Sequence, residues 1–144
     1  MNLNYLVTLM RRILISGGRE FGLIPKDTLP AQMQEAKNKA DYQQRRLTET
    51  LNGKLLEYGN VFIIHGKAKG ADSFAGAWAF ANGMDVAEYP ARWSSYGKSA
   101  GYYRNIDMLE DGEPDEVIAF EGGNGTEMMI KLTNKCKVPL TVVE

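Results

Sequence analysis

The sequence predicts an α/β domain in which helices cover both faces of a mainly parallel sheet. Short apolar runs recur along the chain, at residues 12–16, 61–65, 85–89, 116–120 and 139–143. Glycine-rich stretches follow three of them, at residues 17–22, 66–70 and 122–125. Segments with helical spacing lie between the runs. Strands that alternate with helices form βαβ units, and runs that are apolar at consecutive positions suit strands covered on both sides.

The first strand is Arg12-Ile13-Leu14-Ile15-Ser16, followed by a loop over 17–22. Pro25 and Pro30 keep part of 23–30 irregular. Residues 29–58 then read as a long polar helix, with Ala36, Ala40, Leu47, Leu51, Leu55 and Leu56 at near-helical spacings and a stop before Gly59. The second strand, 61–65, leads through the loop 66–72 into a short helix, 73–82, with Gly83 as its C-cap. The third strand ends at Pro90. A long loop, 91–100, precedes a helix over 101–110. The fourth strand runs into Gly122-Gly123-Asn124-Gly125-Thr126, which opens a helix ending near 134, and residues 139–143 close the sheet. Right-handed crossovers turn this succession into a three-layer Rossmann-like sandwich with five strands in the order 3-2-1-4-5. Residues 12–144 make a single domain, and 1–11 an N-terminal extension.

A chain of 144 residues is one ordinary domain, long enough to bury roughly 68–70% of its unfolded surface. Its 44% hydrophobic and 24% charged residues are globular proportions. The single cysteine, Cys136, forms no internal disulfide. With one histidine beside it, a structural zinc site, which takes about four such ligands, is not expected, and no metal or required cofactor is foreseen. A net charge of −1 supplies no global attraction to nucleic acid. No run reaches the roughly 18 apolar residues of a membrane span. Arg11 and Arg12 follow the mildly apolar first ten residues, the reverse of a secretory signal. The expectation is a cytoplasmic protein without a membrane partner.

In a doubly wound sheet, ligands bind outside the carboxyl ends of the strands. Three glycine clusters fall there: Gly17 with Gly18, Gly66 with Gly70, and Gly122 and Gly123 with Gly125. Glycine lets backbone N–H groups approach a phosphate without an intervening Cβ, and a helix opening just afterwards adds its positive end. One such loop alone reads as a tight turn; three at one sheet edge read as a ligand seat. Thr126 can cap its helix or donate to a phosphate oxygen. Arg19 and Arg104 suit bidentate phosphate contacts; Arg92 is a further cation at this edge, and Lys67, Lys69 and Lys98 read equally as solvated charge. Trp93 and Tyr96, with Tyr102 and Tyr103 nearby, offer aromatic faces for a base. Asp72 reads first as an N-cap and second as a catalytic acid. His65 reads first as structural and second as a general base, and Cys136 as inert.

Taken together, residues 12–22, the loop 66–72, Trp93-Ser94-Ser95-Tyr96-Gly97-Lys98, the stretch 101–109 with Arg104 and Asn105, and Gly122–Thr126 resemble the SLOG superfamily. Within it they are most similar to the YspA-like, cpYpsA-related branch of Rossmann-like proteins common in phages and bacteria. The resemblance spans about 12–143; the helical region 25–58 is less typical. It implies a nucleotide or nucleotide-derived ligand with phosphate on the Gly-Gly-x-Gly-Thr loop. It also implies a homo-oligomer, for which residues 1–10 and the 25–58 region offer surface. Related SLOG domains sense NAD-derived signals, LOG enzymes cleave the N-glycosidic bond of nucleoside monophosphates, and DprA-type relatives bind single-stranded DNA. LOG enzymes carry glutamates two and three positions after the threonine. Here those positions hold Met128 and Met129, and Glu127 sits one residue early, about 100° around the helix.

The leading expectation is therefore a nucleotide-binding protein of sensor or sequestering type. An N-glycosidic hydrolase is the alternative, with Glu20, Asp72 or Glu121 supplying the carboxylate that the LOG pattern lacks. Single-stranded nucleic-acid binding is the third reading, against which the near-neutral charge speaks.

Overall fold

The computed structural model describes residues 10–144, so the expected extension lies outside the described residues as far as residue 9. Five strands form one sheet: β1 (Arg11–Ser16), β2 (Val61–His65), β3 (Val86–Glu88), β4 (Glu116–Ala119) and β5 (Leu140–Val142). All four pairings are parallel and the order is β3-β2-β1-β4-β5. Leu14 pairs with Ile64 on one side and Val117 on the other, so the central strand is flanked by apolar neighbours across its width.

Alternation along β1 divides the core. Ile13 and Ile15 face one layer with Ile63, Ile118 and Phe120, under the helices α1 (Met33–Tyr58) and α2 (Ala71–Ala81). Leu14, Ile64 and Val117 face the other, under Met108 and Met129 from α4 (Ala100–Glu110) and α5 (Asn124–Cys136). Each such fully buried side chain contributes on the order of 1.5–3 kcal/mol. The small residues Ala71, Ala75 and Ala79 recur every four positions and bring α2 close onto the sheet.

The strands and helices fall within about two residues of their expected ends, with three local differences. The expected loop 91–100 is mostly helical: α3 (Trp93–Tyr96) and a 3-10 turn at Gly97–Ser99 fill it. The N–H groups of Ser95 and Tyr96 both donate to the Arg92 carbonyl, and such a single turn leaves no sequence periodicity to detect. Residues 30–32 form a 3-10 turn before α1, as Pro30 at its first position favours. Gly83 follows Asn82, the capping residue of α2, with φ +69°.

At the amino ends of the strands, buried Glu116 accepts from Arg11 Nε and forms an ion pair with Lys54 Nζ, both at 2.7 Å. This ties β1 and α1 to β4 at the edge away from the glycine loops. Loss of both cations would leave the buried Glu116 charge uncompensated.

Gly70 should be the least replaceable loop glycine. Its φ is +79°, and a Cβ there would strike the Gly18 carbonyl oxygen. Gly59, at φ +73°, has open space around it. Gly70→Ala is expected to destabilise by at least about 2 kcal/mol, from strain and overpacking together. Gly59→Ala should cost about 1 kcal/mol from backbone strain alone. Urea denaturation midpoints check this, and equal losses would refute it.

Candidate functional site

The order β3-β2-β1-β4-β5 reverses between β1 and β4, so the switch point of the sheet lies at their carboxyl ends. The three glycine loops converge there. Gly18 donates its N–H to Glu121 O (2.9 Å), and its carbonyl accepts from Ala71 N (3.2 Å) and Phe21 N (3.3 Å). The loop after β1 is thereby clasped between the loops after β4 and β2.

Most of these glycines are required by packing. A Cβ on Gly17 would strike Ala71, one on Gly66 would strike Arg104, and one on Gly122 would strike Thr126. Gly18 has the backbone of Gly122 against it at 3.0 Å. Gly123 and Gly125 differ: a Cβ on either meets nothing within 4 Å, and neither has positive φ. Both line a cleft of about 400 Å³ above the switch point, within the roughly 300–1,000 Å³ of small-ligand sites.

One wall of the cleft is the first turn of α5. Gly123 is its capping residue, and no side chain caps it. The first α5 amide bonded to the carbonyl of Gly123 is that of Glu127, at 3.0 Å. The amides before it, from Asn124 to Thr126, precede the helical ladder and carry its positive end. Thr126 is buried at the third helical position, where it lines the cleft instead of capping.

Arg104 and Asn105 face this turn from α4. Arg104 donates from Nη1 to Gly66 O (2.7 Å) and from Nε to Asn105 Oδ1 (3.1 Å). Buried Asn105 turns its Nδ2 toward Gly125 O at 3.4 Å. Burial lowers the Arg104 pKa from its ordinary value; Asp72 opposes that shift and Arg19 adds to it. Arg19 lies over the Trp93 ring, 5.5 Å from its centroid, a cation–π arrangement. Trp93 is about half exposed and borders the cleft.

Asp72 is the carboxylate of the cleft. It occupies the second position of α2, not the cap, which is Gly70. Its Oδ2 instead accepts from the amides of Gly66 (3.0 Å) and Ala68 (3.3 Å), holding the β2–α2 loop. Burial raises its pKa to about 6, against the pull of those two amides and of Arg104.

The cleft thus gathers Gly17, Gly18, Arg19, Asp72, Trp93 and Arg104, and with them Asn105, Gly123, Gly125 and Thr126. Gly66 and Lys69 line an adjoining groove instead. Gly70 lies beneath the Gly18 carbonyl. Tyr96 packs on Tyr103, with centroids 4.7 Å apart, beside a different groove at Pro90. Lys98 is exposed on the 3-10 turn and borders neither space. Glu20, Glu121 and Gly122 face a separate groove against α1, where Glu121 pairs with Lys39 (3.3 Å) and accepts from Gln43 (3.0 Å).

Sequence reasoning missed Ser16, Asn124, Gly101 and Met108. Asn124 stands inside the glycine-rich loop and was findable there; Gly101 and Met108 arrive only by helix packing. Met128 lines the cleft, whereas Met129 is buried in the core. His65 is buried, its pKa lowered chiefly by that burial, and its Nδ1 accepts from Lys67 N (2.9 Å). Cys136 is exposed at the end of α5. No helix among the described residues is long and apolar enough to cross a membrane.

Fold and cleft define a Rossmann-like α/β domain whose crevice gathers main-chain amides and arginines at the switch point. The chain belongs to the YspA, cpYpsA-related SLOG family, which it matches over residues 11–96. It is also similar to the Gene 61 protein of Mycobacterium phage D29, 37% identical over 90 residues covering 58% of this chain and 70% of the phage protein. No solved structure matches it. The family match takes in Gly17–Arg19, the loop 66–72 and Trp93, and stops before α4 and the 122–126 loop.

Raising a carboxyl from 3.8 to about 6 means that the folded state binds Asp72's proton more tightly than the unfolded chain does. Stability therefore falls as pH rises from about 4 to 6, and above that the ionised carboxylate costs up to ~3 kcal/mol. Asp72→Asn keeps an oxygen for the two amides and removes the charge. It should stabilise the protein at pH 8, with a gain that shrinks toward zero near pH 4. Denaturation of both proteins across that range checks this, and a pH-independent difference would count against it.

Proposed function

We propose that the protein binds a nucleotide or nucleotide-derived small molecule, as a sensor or a sequestering protein, with a phosphate in the cleft. The observation that carries this is the pair Gly123 and Gly125. Packing calls for glycine at neither position, and the helical backbone at Gly125 does not call for it either; both open onto the cleft beside the first turn of α5. Their missing side chains leave room for an anion to reach the helical amides. Arg104, ordered by Gly66 and Asn105, and Arg19 supply compensating charge, and Trp93 offers a face to the base. Membership of the SLOG family supports a ligand of the nucleotide class.

Calorimetry against nucleoside phosphates and ADP-ribose derivatives tests the reading; silence across the panel would overturn it. Gly125→Val should keep or slightly raise stability, because glycine is the poorer helix former by a few tenths of a kcal/mol. It should nevertheless weaken binding about ten-fold or more by standing between the phosphate and the amides. Binding that survives unchanged would move the phosphate elsewhere.

A second reading, cleavage of an N-glycosidic bond, is favoured by Asp72. Its Oδ2 is pinned by two amides, its carboxyl borders the cleft, and its pKa near 6 suits acid–base work around neutrality. Glu20 and Glu121 lie across the Gly18–Gly122 contact from the cleft. Incubation with nucleoside monophosphates or NAD should then release free base from the wild type and from Glu20→Gln and Glu121→Gln, and none from Asp72→Asn. Absence of turnover in the wild type would leave binding as the function.

A further inference from the structure

The cleft continues past the Arg19–Trp93 pair. A second groove of about 410 Å³ opens beside the β2–α2 loop and Pro90, sharing Arg19, Trp93 and Arg104 with the first. Its ionisable lining is Arg19, Lys67, Lys69 and Arg104, with no carboxylate among them. The ion pairs among the described residues use Arg11, Lys39, Arg46 and Lys54, so none engages these four. Four like charges gathered with a single nearby carboxylate, Asp72 beside Arg104, repel one another and do not favour the fold. Asp72 offsets Arg104 from the cleft side and does not line the groove, so Arg19, Lys67 and Lys69 stay without a carboxylate there.

Lys67 carries a second indication. Its φ is +54°, a left-handed conformation that glycine adopts freely and that costs other residues about 1–2 kcal/mol. The turn is held by its N–H on His65 Nδ1. A lysine thus stands where the backbone alone favours glycine, and it lines both the groove and a neighbouring hollow that holds Glu88.

We propose that this groove is a second anion subsite, and that the ligand is a nucleotide with a second phosphoryl group on the far side of its nucleoside. This rests on the nucleotide reading of the cleft. One phosphate sits on the first turn of α5, the nucleoside lies against Trp93 at the junction, and the other phosphate lies among Lys67, Lys69 and Arg104. A mononucleotide fills the first space and leaves the second group of cations unneutralised.

The test compares nucleoside 5′-monophosphates with nucleoside 3′,5′-bisphosphates of the four common bases, by calorimetry on the full chain. For at least one base, the bisphosphate should bind the wild type about ten-fold tighter or more. Lys67→Gly combined with Lys69→Gln should remove most of that preference and leave monophosphate affinity within about two-fold. Lys67→Gly relieves the left-handed strain, so lost stability does not explain lost binding; thermal melts confirm this. Equal affinities for the two ligands in the wild type, or a preference that survives the double variant, would overturn the second subsite and leave the cleft reading standing. Failure of both ligands to bind would overturn both.

Discussion

The contact on which the functional end of the molecule depends is the clasp around Gly18. Its N–H reaches the loop after β4, its carbonyl receives the first amide of α2, and the missing side chains of Gly17, Gly70 and Gly122 allow three loops to meet at atomic contact. A methyl group at any of these positions would force loops apart. The clasp also divides space. The cleft with Asp72 and Arg104 lies on one side, and the groove with Glu20 and Glu121 lies on the other. Loops that serve as turns when considered singly become a rim because that one residue is bonded on both sides.

Charge is handled differently at the two ends of the sheet. At the amino ends, away from the cleft, buried Glu116 is satisfied between Arg11 and Lys54. At the carboxyl ends, arginines and lysines gather without ion-pair partners among the described residues, beside helical amides whose dipoles have the same sign. Asp72 is the exception, and the loop amides that hold it only partly offset its desolvation. A bound anion would relieve the repulsion among the cations, so ligand binding and stability are coupled through the same groups.

The sheet was largely legible in the chain. Runs such as Ile13-Leu14-Ile15 and Ile63-Ile64 encode strands covered on both faces, and the alternation with helices implies the parallel order 3-2-1-4-5. These signals are local: hydrophobic content and glycine placement act over a few residues and survive in one dimension. The placement of glycine loops at the carboxyl edge follows from the same succession. The turn at 93–96 escaped because a single helical turn has no period to read.

Roles within the site were decided by residues distant in the chain. Asp72 looks like a cap until the amides of Gly66 and Ala68 are seen to take its oxygen. Tyr96 and Trp93 look equivalent until Tyr103 claims the former. The glycines look alike until neighbours separate those that pack from Gly123 and Gly125, which face open space. The chain alone settles which segments become strands and helices and at which sheet edge the loops emerge, because burial and backbone preference act locally. Only the assembled structure decides which side of a contact each carboxylate or ring faces, because that depends on which distant loop closes against it.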